Sequence, residues 1–236
     1  FNDMDSGTWH GSYLNIYIEK DIETHYHIEK ITSFRNLIFL LAARTSQVLN
    51  YQSLSNDLGV SSVIVKSWIK ILEASQIIYL LKPYHTNLES RVIKAPKLYF
   101  MDIGLAAYLC GIESRSMLFR SVQAGSLFEN FVIQEIIKLY INKGKTPPIY
   151  YFRTNNGLEV DLLIEKTPGK IIPCEIKCSK TPNKGMVSGI NRFRKLYQNK
   201  NIKIDNGAII SQATKSFPLT KTDIVYPLKE YLTKIQ

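Results

Sequence analysis

Residues 158–164, Leu-Glu-Val-Asp-Leu-Leu-Ile, and residues 171–179, Ile-Ile-Pro-Cys-Glu-Ile-Lys-Cys-Ser, decide the fold. Both are short, largely aliphatic runs of the kind that cross a sheet once. Period-two alternation puts Glu175 and Lys177 on one face of the second strand, with Cys174, Ile176 and Cys178 on the other. In the first strand Leu158, Val160, Leu162 and Ile164 form an apolar face, which leaves Glu159 and Asp161 opposite. An acid and an amine projecting together, beside an acid from a neighbouring strand, can hold a divalent cation and position a water. Two carboxylates with retained waters suit Mg²⁺, so Asp161 and Glu175 are the expected metal ligands. Zinc at Cys174 and Cys178 would need further ligands nearby, and packing is the simpler role for both thiols.

Working outward, residues 127–141 have helical spacing, with Val132, Ile133 and Ile136 following Glu129 at i+3, i+4 and i+7. Glu129 is therefore expected on a buried face, where a carboxylate needs a cation or a backbone donor. It either joins the acid and amine cluster or makes a structural salt bridge to Lys177. Residues 150–152 are strand-like, and Asn155, Asn156 and Gly157 supply a turn that can pair this strand antiparallel with the next. A helix over 187–197 and a strand over 208–211 follow. The pattern predicts a mixed α/β domain, a sheet partly covered by helices.

The N-terminal half has different grammar. Helical spacing covers 13–31, 34–44, 54–58 and 62–75, followed by strands over 77–81 and 97–101 with a loop over 83–90 between them. Helix, helix, helix, hairpin is the winged-helix order. Ser61 is placed to cap the third helix of that order, and Val65, Trp68, Ile69 and Leu72 form its buried stripe. Ser61, Ser62, Lys66 and Lys70 would then form a recognition face for DNA, or an outward face of a module that only joins other domains. His25 and His27 fall on different helix faces, as surface residues rather than joint metal ligands. A short helix over 103–110 and a polar interval over 111–121 complete the division: 1–33 a helical connection, 34–110 winged-helix-like, and 121–236 the α/β domain.

Composition agrees with a packed globule: of 236 residues 45% are hydrophobic and 21% charged. The net charge of +10 is concentrated at one end. Residues 162–236 hold 14 Lys and Arg against 5 Asp and Glu, whereas residues 1–161 hold 16 against 15. Such an excess either attracts a polyanion or keeps the surface solvated. Three cysteines fit a reducing, cytoplasmic setting, and no run approaches the roughly 18 apolar residues of a membrane span. A start at Phe1 suggests a piece of a longer protein.

Glu129, Asp161 and Glu-Ile-Lys at 175–177 resemble the helical acid, strand aspartate and E-x-K motif of the PD-(D/E)xK nuclease superfamily, with Val160 where the strict pattern has proline. A longer resemblance is carried by several stretches. They are Tyr-Leu-Asn-Ile-Tyr-Ile-Glu-Lys-Asp at 13–21, Lys-Ala-Pro-Lys-Leu-Tyr-Phe-Met-Asp-Ile-Gly-Leu-Ala at 94–106 and Gly-Ser-Leu-Phe-Glu-Asn-Phe-Val at 125–132, together with Tyr-Phe-Arg-Thr-Asn-Asn-Gly-Leu-Glu-Val-Asp at 151–161 and Pro-Cys-Glu-Ile-Lys-Cys-Ser at 173–179. These resemble an archaeal and bacterial AAA+ ATPase family of the DUF4143 type. The resemblance implies a P-loop ATPase domain, then a winged-helix segment, then a restriction-endonuclease-like domain. No G-x-x-x-x-G-K-[ST] run occurs here, so ATP would be bound only by a domain preceding these residues. The implied activity is DNA binding with Mg²⁺-dependent phosphodiester hydrolysis, with Glu129, Asp161, Glu175 and Lys177 as catalytic residues. The alternative is a non-catalytic module that binds DNA, a protein partner or a second copy of itself and regulates the attached ATPase.

Overall fold

Apolar residues three and four apart produce helices wherever the sequence carries them between residues 31 and 74. The computed structural model describes residues 6–23, 28, 30–84, 93–198 and 200–236; His25, His27 and most of the 83–90 loop lie outside the described residues. Helix α1 spans Ser6–Ile16, and a π-helix over Tyr17–Glu23 follows it. The helix expected over 13–31 thus begins earlier and changes its winding midway. The change keeps Tyr17, Ile18 and Ile22 buried, and the Tyr17 hydroxyl lies 2.7 Å from Ser75 Oγ.

Helix α2 (Ile31–Ala43) buries Phe34, Leu37, Ile38, Leu41 and Ala42. Helix α3 (Tyr51–Leu58) starts at Asn50, whose side chain accepts from Ser53 N at 3.0 Å, and ends at Gly59 in a left-handed conformation. Helix α4 (Ser62–Ala74) is capped by Ser61 and buries Val65, Trp68, Ile69 and Leu72, the stripe read from the sequence. Phe34 and Trp68 meet edge to face at 5.6 Å, tying α2 to α4. Strands β1 (Ile78–Leu81) and β2 (Lys97–Phe100) then pair in a two-stranded sheet. Helix α5 (Ile103–Leu109) follows, capped by Asp102. The interval 111–121, read as a polar linker, contains a further short helix, α6 (Arg115–Arg120), because Ser114 accepts from Met117 N and caps it.

The remainder is built on one mixed sheet. Helix α7 (Ala124–Ile141) precedes strands β3 (Ile149–Arg153), β4 (Glu159–Thr167) and β5 (Lys170–Lys177). A 3₁₀ turn over Lys184–Val187 leads into α8 (Ser188–Tyr197), and β6 (Lys203–Ile204), β7 (Gly207–Ser211), β8 (Phe217–Pro218), β9 (Asp223–Pro227) and α9 (Leu228–Ile235) complete the chain. Strand order is β3-β4-β5-β7-β9-β8, with β6 also paired to β5. β4 runs antiparallel to both β3 and β5, whereas β5, β7 and β9 are parallel. The protein is therefore mixed α/β, helical towards its N-terminus and sheet-based towards its C-terminus.

Strict alternation along β4 does not hold. Tyr150 pairs with Leu163 and Phe152 with Val160, so Asp161 and Leu162 together oppose Tyr151. This β-bulge moves Leu163 onto the face of Leu158 and Val160, where all three pack with Phe152, Ile190, Phe193 and Tyr197. The expected single face of Leu158, Val160, Leu162 and Ile164 is accordingly broken at Asp161.

Contacts divide the chain into two units, Phe1–Tyr79 with Leu98–Leu127 and Leu80–Lys97 with Phe128–Gln236. Among the described residues no helix is long and apolar enough to cross a membrane.

Candidate active site

Asp161 sits at the β4 bulge, and its Oδ2 accepts from Ile176 N at 2.8 Å and from Lys177 Nζ at 2.9 Å. Lys177 Nζ also lies 2.6 Å from Glu175 Oε2. The ammonium thus bridges two carboxylates from adjacent strands, and both acids are buried, 8% and 5% exposed. Parity on β5 places Glu175 and Lys177 together, and the bulge re-aims Asp161 to meet them.

Three charged groups share one positive charge, and their proton affinities separate accordingly. Burial, reinforced by the Asp161 carboxylate, pushes the Glu175 carboxyl up to about 8. Asp161 is held below the usual carboxylate range: burial opposes this, but Lys177, Lys97 and the Ile176 amide outweigh it. Lys177 is raised despite burial by the two acids it touches. One acid ready to keep a proton near neutrality, beside one that stays ionised, is the pattern of acid and base sites.

Glu129 reaches a different cation. Lys97 Nζ, on β2, lies 3.2 Å from Glu129 Oε1 and 2.7 Å from Glu159 Oε1. The Lys97 side chain is almost wholly buried and passes 5.7 Å from the centre of the Tyr151 ring. Its amine is raised well above its ordinary value: burial opposes the shift, but Glu129, Glu159 and Asp161 overcome it. The structure therefore brings Asp161, Glu175 and Lys177 into direct contact, and Glu129 stands beside them through Lys97 rather than through Lys177. Sequence reasoning missed Lys97. Two half-buried acids, Glu129 and Glu159, in excess of the one amine at 177 were the available signal.

Gly189, in the first turn of α8, was also unforeseen. A Cβ there would stand 2.4 Å from the Glu159 carbonyl oxygen and 2.5 Å from Glu175 Oε1. Only a glycine lets the helix start close against both strands. Gly189→Ala is expected to lower stability by about 1–3 kcal/mol and to push the Glu175 side chain from its place. Urea melts of the two proteins check this; equal midpoints would show that the close approach carries no constraint.

Two carboxylates on adjacent strands offer oxygens to a hard cation, and the ammonium between them marks where positive charge is favoured. Asp161 and Glu175 are the residues that would hold Mg²⁺, a cation that takes carboxylate and water oxygens. No cluster of three or more His, Cys, Asp or Glu side chains suited to a metal occurs among the described residues. Cys110, Cys174 and Cys178 are free thiols; Cys174 is buried against the Tyr231 hydroxyl at 3.0 Å, on the opposite face from Glu175. Ser61, Ser62, Lys66 and Lys70 lie far along the chain on α4. Ser61 Oγ is engaged by Ile64 N, Ser62 is partly exposed, and Lys66 and Lys70 are exposed, Lys66 standing 5.4 Å from the Tyr51 ring centre.

Residues 124–231 match a domain of unknown function, DUF4143. The chain carries a DUF4143 domain. Residues 1–116 match a second domain of unknown function, DUF8612. The chain is 26% identical over 231 residues to the uncharacterized proteins Rv2008c of Mycobacterium tuberculosis and Mb2031c of Mycobacterium bovis, covering 97% of this chain and 49% of each relative. It thus spans about half the length of the curated relatives it matches. No solved structure matches it. Asp161, Glu175, Lys177 and Glu129 all lie within the DUF4143 domain, whereas Lys97 lies in the DUF8612 match.

Proposed function

We propose that the DUF4143 domain hydrolyses phosphodiester bonds in DNA with Mg²⁺, as the C-terminal part of a longer AAA+ ATPase in which ATP is bound outside these residues. The observation that carries this reading is the contact of Lys177 Nζ with both Asp161 and Glu175 at the β4 bulge. Asp161 and Glu175 would hold the cation, which when bound stabilises charge developing on the phosphate oxygens. Lys177, freed by the cation's charge, orients a water or contacts the phosphate. Glu129 supports the site indirectly, by fixing Lys97 in the field of Asp161. The basic excess over residues 162–236 supplies the attraction for a phosphate backbone.

The test is cleavage of single-stranded, duplex and branched DNA by the full-length protein with Mg²⁺ and ATP. Asp161→Asn and Lys177→Ala are expected to lower the rate by about a hundredfold or more. Absence of metal-dependent cleavage on every substrate, or cleavage unaffected by both substitutions, would sink the reading.

A second reading is favoured by the outward lysines of α4. In it the chain is a non-catalytic module that binds DNA or a protein partner and regulates the ATPase, and it acts in a cytoplasmic setting. Lys66→Ala with Lys70→Ala is then expected to weaken DNA binding and reduce the salt slope by about two. Filter binding across a salt series measures it, and an unchanged slope removes these lysines from the interface.

A further inference from the structure

Three lysines from three separate elements line one cavity on the other face of the same sheet. Lys166 at the end of β4, Lys203 in β6 and Lys234 in α9 line a cavity of about 390 Å³. Its floor includes Ile172, Ala208 and Tyr231, all buried. Ile172 and Glu175 are three residues apart on β5 and point to opposite faces, so this cavity is distinct from the acid and amine cluster.

Three lysines around one cavity raise its positive potential. Among the described residues Asp205 is the one carboxylate lining the cavity, and Lys170 Nζ lies 3.6 Å from it, so the surroundings remain positive. Lys234 is steadied without being neutralised: its Nζ donates to the Tyr226 hydroxyl and lies 4.3 Å from the ring centre. The Tyr231 hydroxyl is engaged by Cys174 Sγ, and Asp205 and Asn206 add polar groups to the lining. The volume falls within the roughly 300–1,000 Å³ usual for small-ligand pockets. Three lysines around one cavity match an anion that carries more than one charge, such as a diphosphate.

We propose that this cavity binds phosphate groups, with Lys166, Lys203 and Lys234 as their point-charge partners. The test uses the full chain at low ionic strength, titrated calorimetrically with pyrophosphate, ADP and a short single-stranded oligonucleotide. Pyrophosphate and ADP are expected to bind one to one, and Lys166→Ala with Lys203→Ala to weaken both by about tenfold or more, for lost charge-assisted contacts. Both lysines are exposed, so the double variant should keep its circular dichroism and melting temperature. Should it not fold, Lys234→Met reads the same loss. Lys138→Ala, which removes an equal charge from α7 outside the cavity lining, leaves the affinities unchanged. An oligonucleotide that binds tighter than ADP and is displaced by pyrophosphate identifies the phosphates as those of a nucleic-acid backbone; one that binds no tighter identifies a free nucleotide. Pyrophosphate binding that is undetectable, or equal in wild type and the lysine variants, overturns the proposal.

Discussion

Replacing Lys97 with methionine is expected to destabilise the C-terminal unit by about 3 kcal/mol, the scale for breaking a buried ion pair by removing one partner. Lys97 is 2% exposed and carries the counter-charge for both Glu129 and Glu159. Methionine fills a similar volume, so the loss is electrostatic rather than a cavity. Arg153 Nη1, 3.6 Å from Glu159 Oε2, retains part of the compensation, which keeps the expected value at the lower end of the range. Two further results separate this from a packing defect. Adding Glu129→Gln should recover a substantial part of the loss, and adding Glu159→Gln should separately recover another part. Urea melts with unchanged slope and a shifted midpoint supply the measurement. A full loss that is indifferent to both manipulations would show that Lys97 serves as a spacer.

Glu175→Gln is expected to change how stability depends on pH. The folded Glu175 carboxyl, at about 8, stands above its unfolded value of 4.5. Between those values the folded protein keeps a proton that the unfolded chain has released, so stability falls as pH rises through this window. Below it both states are protonated, and above it both are ionised, so this contribution is constant on either side. Glutamine cannot lose a proton. The variant should therefore gain on wild type as pH rises from 4.5 to 8, by on the order of 4 kcal/mol across the window. Thermal or urea melts of the pair at four pH values check it; parallel curves would mean that Glu175 is ionised throughout. Were Mg²⁺ held by Asp161 and Glu175 as proposed, its binding near pH 7 would release the same proton and metal affinity would rise with pH.

The principal helices and central strands were legible locally because apolar period is a local property. The buried stripe of α4, the helix carrying Glu129 and the three strands β3, β4 and β5 all follow from side-chain spacing. The strands and helix after residue 211 were not read, since β8 and β9 are only two and five residues long and each ends in proline. Short strands carry too little alternation to announce themselves; pairing of β9 with β7, and of β8 with β9, makes them. Their inclusion also supplies Tyr231 and Lys234, and with them one wall of the lysine-lined cavity.

By itself, the sequence determined that Glu175 and Lys177 share a face, because alternation along an unbroken strand leaves no other choice. It also determined that Glu129 lies on the apolar side of its helix. Only the tertiary structure decided what these groups meet. The bulge that turns Asp161 towards Lys177 exists because β3 and β4 pair with one residue in excess, and register is a property of two strands rather than one. Lys97 becomes the partner of Glu129 for a related reason. A buried charge is satisfied by whichever opposite charge folding brings within a few ångströms, and the separation of residues 97 and 129 along the chain does not encode that distance.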